Sequence, residues 1–168
     1  MLRDRRRLHI KAGFTLIELM VALAVLAILV TLALPSVQAP MVRQQIVDSA
    51  PLINMAKSAV ASRWSTTQTL PDDNAAAGLP PSDKIVGNYV QSVRIASGVI
   101  HVSFGNQANG ALKGRTLSFR PAVVDSAPSV PVAWVCAKAA VPDKMSVKGV
   151  DLTDVELKYL PLNCRTGG

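Results

Sequence analysis

Glu18 is the only charge in the 21-residue apolar run of residues 14–34. A carboxylate held in hydrocarbon is unfavourable by about 3 kcal/mol unless a cation meets it. The nearest cation is latent in the backbone. If the bond between Gly13 and Phe14 were cut, the new amine would stand four residues before Glu18, one helical turn away on the same face. Both groups gain from that pairing, because an ammonium at a helix N-terminus opposes the macrodipole and a first-turn carboxylate relieves it. An ordinary membrane anchor with a carboxylate near the interface is the alternative reading of the same residues.

The element that positions Glu18 follows from composition and charge. As a helix, residues 14–34 would extend roughly 30 Å, about the hydrocarbon thickness. Their apolar side chains surround the whole helical wheel, so the helix needs burial on every side, in lipid or in protein. Arg3, Arg5, Arg6, Arg7 and Lys11 precede the run with only Asp4 against them, which gives residues 1–13 a net +4 of the chain's +7 and leaves +3 behind. That asymmetry predicts a cytoplasmic N-terminus and an outward C-terminal part. It also removes most of the case that net charge alone makes for nucleic-acid binding. A secretory signal cut after Val37-Gln38-Ala39 is a competing reading; Pro40 would follow that cut, and the run exceeds the about 7–15 residues of a signal core.

On the outward side thiols are oxidised, so Cys136 and Cys164 are expected to form a disulfide. Closing that loop would stabilise the domain by roughly 3–4 kcal/mol in the chain-entropy model. Two cysteines without clustered histidines make a poor metal site, and no Cys-x-x-Cys occurs. Catalytic chemistry has little to work with. His101 falls on an expected strand with no acid and nucleophile at motif spacing, His9 lies in the first 13 residues, and neither G-x-S-x-G nor a phosphate loop is present. No enzyme activity, cofactor or metal is therefore expected.

Residues 13–20, Gly-Phe-Thr-Leu-Ile-Glu-Leu-Met, resemble the class III leader junction of type IV pilins and the related pseudopilins. The resemblance implies that a prepilin peptidase cuts after Gly13 and methylates the new N-terminal Phe14. It also implies that Glu18 pairs with a neighbouring subunit's N-terminus during assembly. A second resemblance is carried by residues 85–90, 108–112, 134–136 and 160–165, which are similar to the globular head of type IVa major pilins. Together they imply a structural subunit of a bacterial type IV pilus, a homo-oligomeric helical filament built by assembly machinery in the inner membrane. Adhesion, twitching motility and DNA uptake are activities of such filaments, with a surface receptor or DNA as partners of the assembled pilus. The precursor would sit in the inner membrane with its head in the periplasm and later join the surface fimbrium. A pseudopilin of a type II secretion system or a minor pilin is the near alternative. A single-pass, membrane-anchored periplasmic enzyme is the alternative of a different class.

Along the chain, Pro35, Pro40 and Pro51 predict kinking or partial unwinding between residues 33 and 51. From Leu52 an apolar stripe returns through Met55, Ala56, Ala59, Val60 and Trp64, with Asn54, Lys57 and Ser58 placed toward solvent. Residues 65–82 read as a loop from their Pro, Gly, Ser, Asp and Asn content. Residues 89–95, 99–104, 116–119 and 132–136 read as strands, the first two joined at Ser97-Gly98; Ile100, Val102 and Phe104 alternate with His101 and Ser103 as in a half-buried strand. The mixed charges of residues 138–158, from Lys138 to Lys158, suit a solvated loop. The expected organisation is a leader of residues 1–13, an apolar helix of 14–34, an amphipathic extension of 35–66 and a head of 67–168. The expected fold is α+β: a long, proline-kinked N-terminal helix packed on a four-stranded antiparallel sheet, with a disulfide-closed C-terminal loop.

Overall fold

The computed structural model describes residues 13–165, apart from the side chains of residues 32–37. The leader residues Arg3, Arg5, Arg6, Arg7, His9 and Lys11 lie outside the described residues. Contacts divide the chain into two compact units, Met1–Gln38 and Ala39–Gly168. Helix α1 (Leu16–Asp48) begins in the first unit and ends in the second, which also holds helix α2 (Ala50–Thr67) and a sheet.

The helical interruption expected from the prolines falls at Ser49, between α1 and α2. Pro35 and Pro40 lie within α1, each at the loss of one main-chain hydrogen bond. Pro51 occupies the first turn of α2, where its missing donor would have had no intrahelical partner. At the break the Ser49 hydroxyl donates to the Gln45 carbonyl at 2.8 Å, satisfying an acceptor that the end of α1 leaves free.

Strands β1 (Val90–Ala96), β2 (Val99–Phe104), β3 (Thr116–Val123) and β4 (Ala133–Cys136) run antiparallel in the order β1-β2-β3-β4. A two-residue β5 (Ser146–Val147), within the segment whose mixed charges suit a solvated loop, also pairs with β3. Strand β3 outruns its expected end at Phe119 and passes through Pro121. Its pairing with β2 stops at Ile100–Phe119, so the absent proline donor breaks no bond to β2. The Pro121 carbonyl still accepts from the Lys148 amide at 2.9 Å.

Apolar residues at helical spacing on α1 and α2 (Val42, Ile46, Ile53, Ala56, Val60) meet the inward row of the sheet (Val93, Ile95, Ile100, Val102, Phe104, Leu117, Phe119). Burial stabilises each such side chain by about 1.5–3 kcal/mol, which makes this interface the main source of the head's stability. Trp64 is buried, as its place on the stripe predicts. Lys57 departs from its expected solvent position. Its ammonium lies 4.5 Å from the centroid of Phe119 and 5.7 Å from that of Trp134, because its four-carbon stem runs over the sheet and its charge faces the aromatic rings. Burial holds this ammonium below the usual lysine range.

The outer edge of β1 is covered by the segment after α2. Asn74, buried, accepts from the Ile95 amide at 2.7 Å and donates to the carbonyls of Val93 at 3.0 Å and Pro80 at 3.1 Å. The carbonyls of Asp72 and Pro71 accept from the Ser97 and Gly98 amides. One carboxamide thus supplies the donor and the acceptor that a further strand would offer.

Candidate assembly segment and C-terminal clasp

Gly13, Phe14 and Thr15 precede the first turn of α1. Thr15 Oγ1 accepts from the Glu18 amide at 3.3 Å, so Thr15 caps the helix and Glu18 occupies its third position. Sequence reasoning missed this role of Thr15, although Thr-x-x-Glu before an apolar run is the signature of a capping box. Glu18 has no ion-pair partner among the described residues. Side chains from Phe14 to Thr31 are all exposed, Phe14 at 79% and Leu16 at 80%. Such a surface, apolar around the whole helix, needs an apolar covering. No helix of the described residues is long and apolar enough to cross a membrane; the stretch of α1 with described side chains before residue 32 is shorter than the apolar run in the sequence.

The chemistry of the second unit gathers in its C-terminal loop. Cys136, the last residue of β4, is bonded to Cys164, and their Cα atoms are 4.7 Å apart. Both are buried in the core. Arg43 of α1 donates through Nε at 3.2 Å and Nη2 at 3.0 Å to the Lys158 carbonyl, which also accepts from Arg165 Nη2 at 3.2 Å. Exposed ion pairs, Arg115–Asp154 at 3.7 Å and Lys158–Glu156 at 2.8 Å, add little to this.

Between β5 and Glu156 the loop crosses the face of the sheet turned away from the helices. The Lys148 amide reaches Pro121 on the β5 side, Gly149 lies against Val99, and Leu152, Thr153 and Asp154 bond Ser118 and Thr116 beyond the end of β4. This crossing explains why His101 is only 4% exposed, where strand alternation placed it toward solvent. His101 Nδ1 lies 2.9 Å from Ser118 Oγ, a distance that would suit a nucleophile and its base. Ser118 is fully buried and its oxygen already accepts from the Leu152 amide at 3.0 Å, so the pair has no access to a substrate. No group of residues suited to hold a metal ion occurs among the described residues.

Residues 42–165 match the family described as pilin (bacterial filament), and residues 8–34 match the prokaryotic N-terminal methylation motif. The chain is 32% identical over 165 residues to a fimbrial protein of Neisseria meningitidis serogroup B, which covers 93% of this chain and 95% of that one. It is 32% identical over 163 residues to the type IV major pilin protein PilE1 of Neisseria gonorrhoeae, covering 93% and 88% of the two chains. Fimbrial protein EcpC of Eikenella corrodens is similar at 32% identity over 164 residues, covering 94% and 92%.

Proposed function

Because this chain belongs to the pilin family and is a structural subunit of a type IV pilus, not an enzyme, we propose the route by which it enters the filament. The peptidase cuts after Gly13 and the amine of Phe14 is methylated, in keeping with the methylation motif over residues 8–34. Residues 14–34 cross the inner membrane before assembly, with residues 35–66 as an amphipathic extension and residues 67–168 as a periplasmic head. Phe14 to Leu34 then leave lipid for the filament core, where copies of the same helix cover one another, and the pilus stands on the cell surface as a fimbrium.

The observation that carries this reading is the exposure of every side chain from Phe14 to Thr31 with Glu18 as the sole charge among them. A featureless apolar helix can slide along its neighbours, whereas a buried carboxylate paired with a neighbour's Phe14 ammonium fixes one axial register. The disulfide-closed loop supports a pilus over a secretion pseudopilus. Adhesion, twitching motility and DNA uptake are the activities such a filament serves.

Glu18→Ala tests this role. Insertion and leader cleavage should continue, while pili in sheared surface fractions fall at least about tenfold against an unchanged membrane pool. Normal piliation by this variant as the sole subunit would refute the role of the carboxylate.

A further inference from the structure

Between the β5 pairing at one end and the Asp154–Thr116 bonds at the other, the crossing of residues 146–154 over the sheet is held by a buried hydrogen-bond relay. Ser118 Oγ accepts from the Leu152 amide, and with the neutral His101 ring protonated at Nε2 its hydroxyl donates to Nδ1, 2.9 Å away. Beside it, Thr153 Oγ1 accepts from the Ser118 amide at 3.0 Å, and Asp151 Oδ1 accepts from the Thr153 amide at 2.9 Å. Ser118 is fully buried, so its hydroxyl has no solvent to turn to. Once His101 Nδ1 carries a proton, imidazolium and hydroxyl both point donors at one another, and satisfying the imidazolium leaves the Ser118 proton without an acceptor. An unsatisfied buried donor is costly, and opening the strap to water removes the conflict.

We propose that His101, Ser118 and Leu152 form an acid-sensitive clasp that holds residues 149–153 against the outer face of the sheet and releases them when the imidazole is protonated.

The surroundings favour the neutral ring when the strap is closed. Burial and then Arg94, directly across on β1, hold the imidazole below its ordinary range, and Asp151 on the strap opposes them. On β3 the facing residues are Ser118 and, two positions along the same face, Arg120, a second cation. An opened strap exposes His101 at its ordinary pKa of about 6.5. The open form therefore binds more protons, and the closed form loses stability as the pH falls below that value toward the depressed one. Release is reversible and local. The Cys136–Cys164 bond keeps both ends of the loop attached, and Gly149, at φ 77°, has room for no Cβ because Val99 occupies the space. The strap consequently reseats on one spot. For a surface filament this is a change in which loop it presents, made without disassembly.

Hydrogen–deuterium exchange of intact pili reads the clasp directly when labelling times are scaled to intrinsic exchange rates. Between pH 7.5 and 5.0, a window above the ordinary carboxylate range, protection of residues 149–153 should fall about tenfold while that of β2 stays constant. His101→Gln cannot become cationic, and its pH response should vanish. Should that variant fail to form pili, Asp151→Asn keeps an acceptor for the Thr153 amide but removes the carboxylate that favours the imidazolium in the closed strap. Protonation is then tolerated less there, and the fall in protection between pH 7.5 and 5.0 should be at least as large as in the unaltered chain. Protection independent of pH in the unaltered chain, an unchanged response in His101→Gln, or a smaller fall in Asp151→Asn than in the unaltered chain would each overturn the proposal.

Discussion

Arg43 and Lys158, 115 residues apart, are joined by two hydrogen bonds from one guanidinium to one main-chain carbonyl, and Arg165 donates to that same oxygen. A helix that enters the head and the loop that closes it thus share a single acceptor. Arg43→Ala should cost about 1 kcal/mol, since Arg165 remains on the oxygen and the site is partly exposed. Removing both arginines should cost more than the two single losses combined, which thermal denaturation of the four proteins in a double-mutant cycle measures. Strict additivity would mean that the shared carbonyl couples nothing.

Loss of the disulfide has a larger expected effect. Cys136→Ser opens a loop whose ends lie 28 residues apart in the sequence, and stability should fall by roughly 3–4 kcal/mol. Surface pili and the pool of intact subunit should decline together. Two free thiols in denatured, unreduced wild-type protein would show that the bridge does not form in the cell.

Asn74→Ala would leave the Ile95 amide and the Val93 carbonyl without their partner. A buried, unsatisfied main-chain group costs about 1–3 kcal/mol, so the head should lose stability on that scale and melt several degrees lower. Asn74→Asp retains an acceptor for Ile95 but not a donor for Val93, and it should be at least as harmful. Calorimetry of both variants decides the matter.

Processing can be separated from folding at Gly13. A Cβ there meets no atom within 4 Å, so Gly13→Val should fold normally and accumulate with its leader attached because the side chain crowds the peptidase. Mass spectrometry of the unaltered subunit should find N-methyl-Phe14 at the mature terminus. A terminus at Pro40 would instead identify a secretory cut.

What could be read from the sequence was mostly local. The Gly13–Glu18 spacing, the apolar run, the cysteine pair and the alternation of residues 100–104 each depend on neighbours in the chain or on two rare residues. The missed features depend on distant segments. His101 is buried because residues 149–153 cross over it, and Lys57 leaves solvent because Phe119 and Trp134 offer it their rings. Asn74 looked like loop punctuation, since nothing near it in the sequence indicates that β1 would be the strand it bonds. The single break at Ser49 has a different cause: a proline tolerated in a first turn cannot be told from one that ends a helix until the turn itself is located.

The carboxamide of Asn74 bears on how these subunits can meet. A naked border strand welcomes any extended peptide, and a crowded pool of identical chains would supply many, so growth by strand-on-strand templating would compete with growth by packing helices. With the amide of Ile95 and the carbonyl of Val93 already engaged, that competing polymer has nothing to grip in the middle of β1. The β1 border is thereby closed to templating, in keeping with the proposed growth of the filament through the apolar helix.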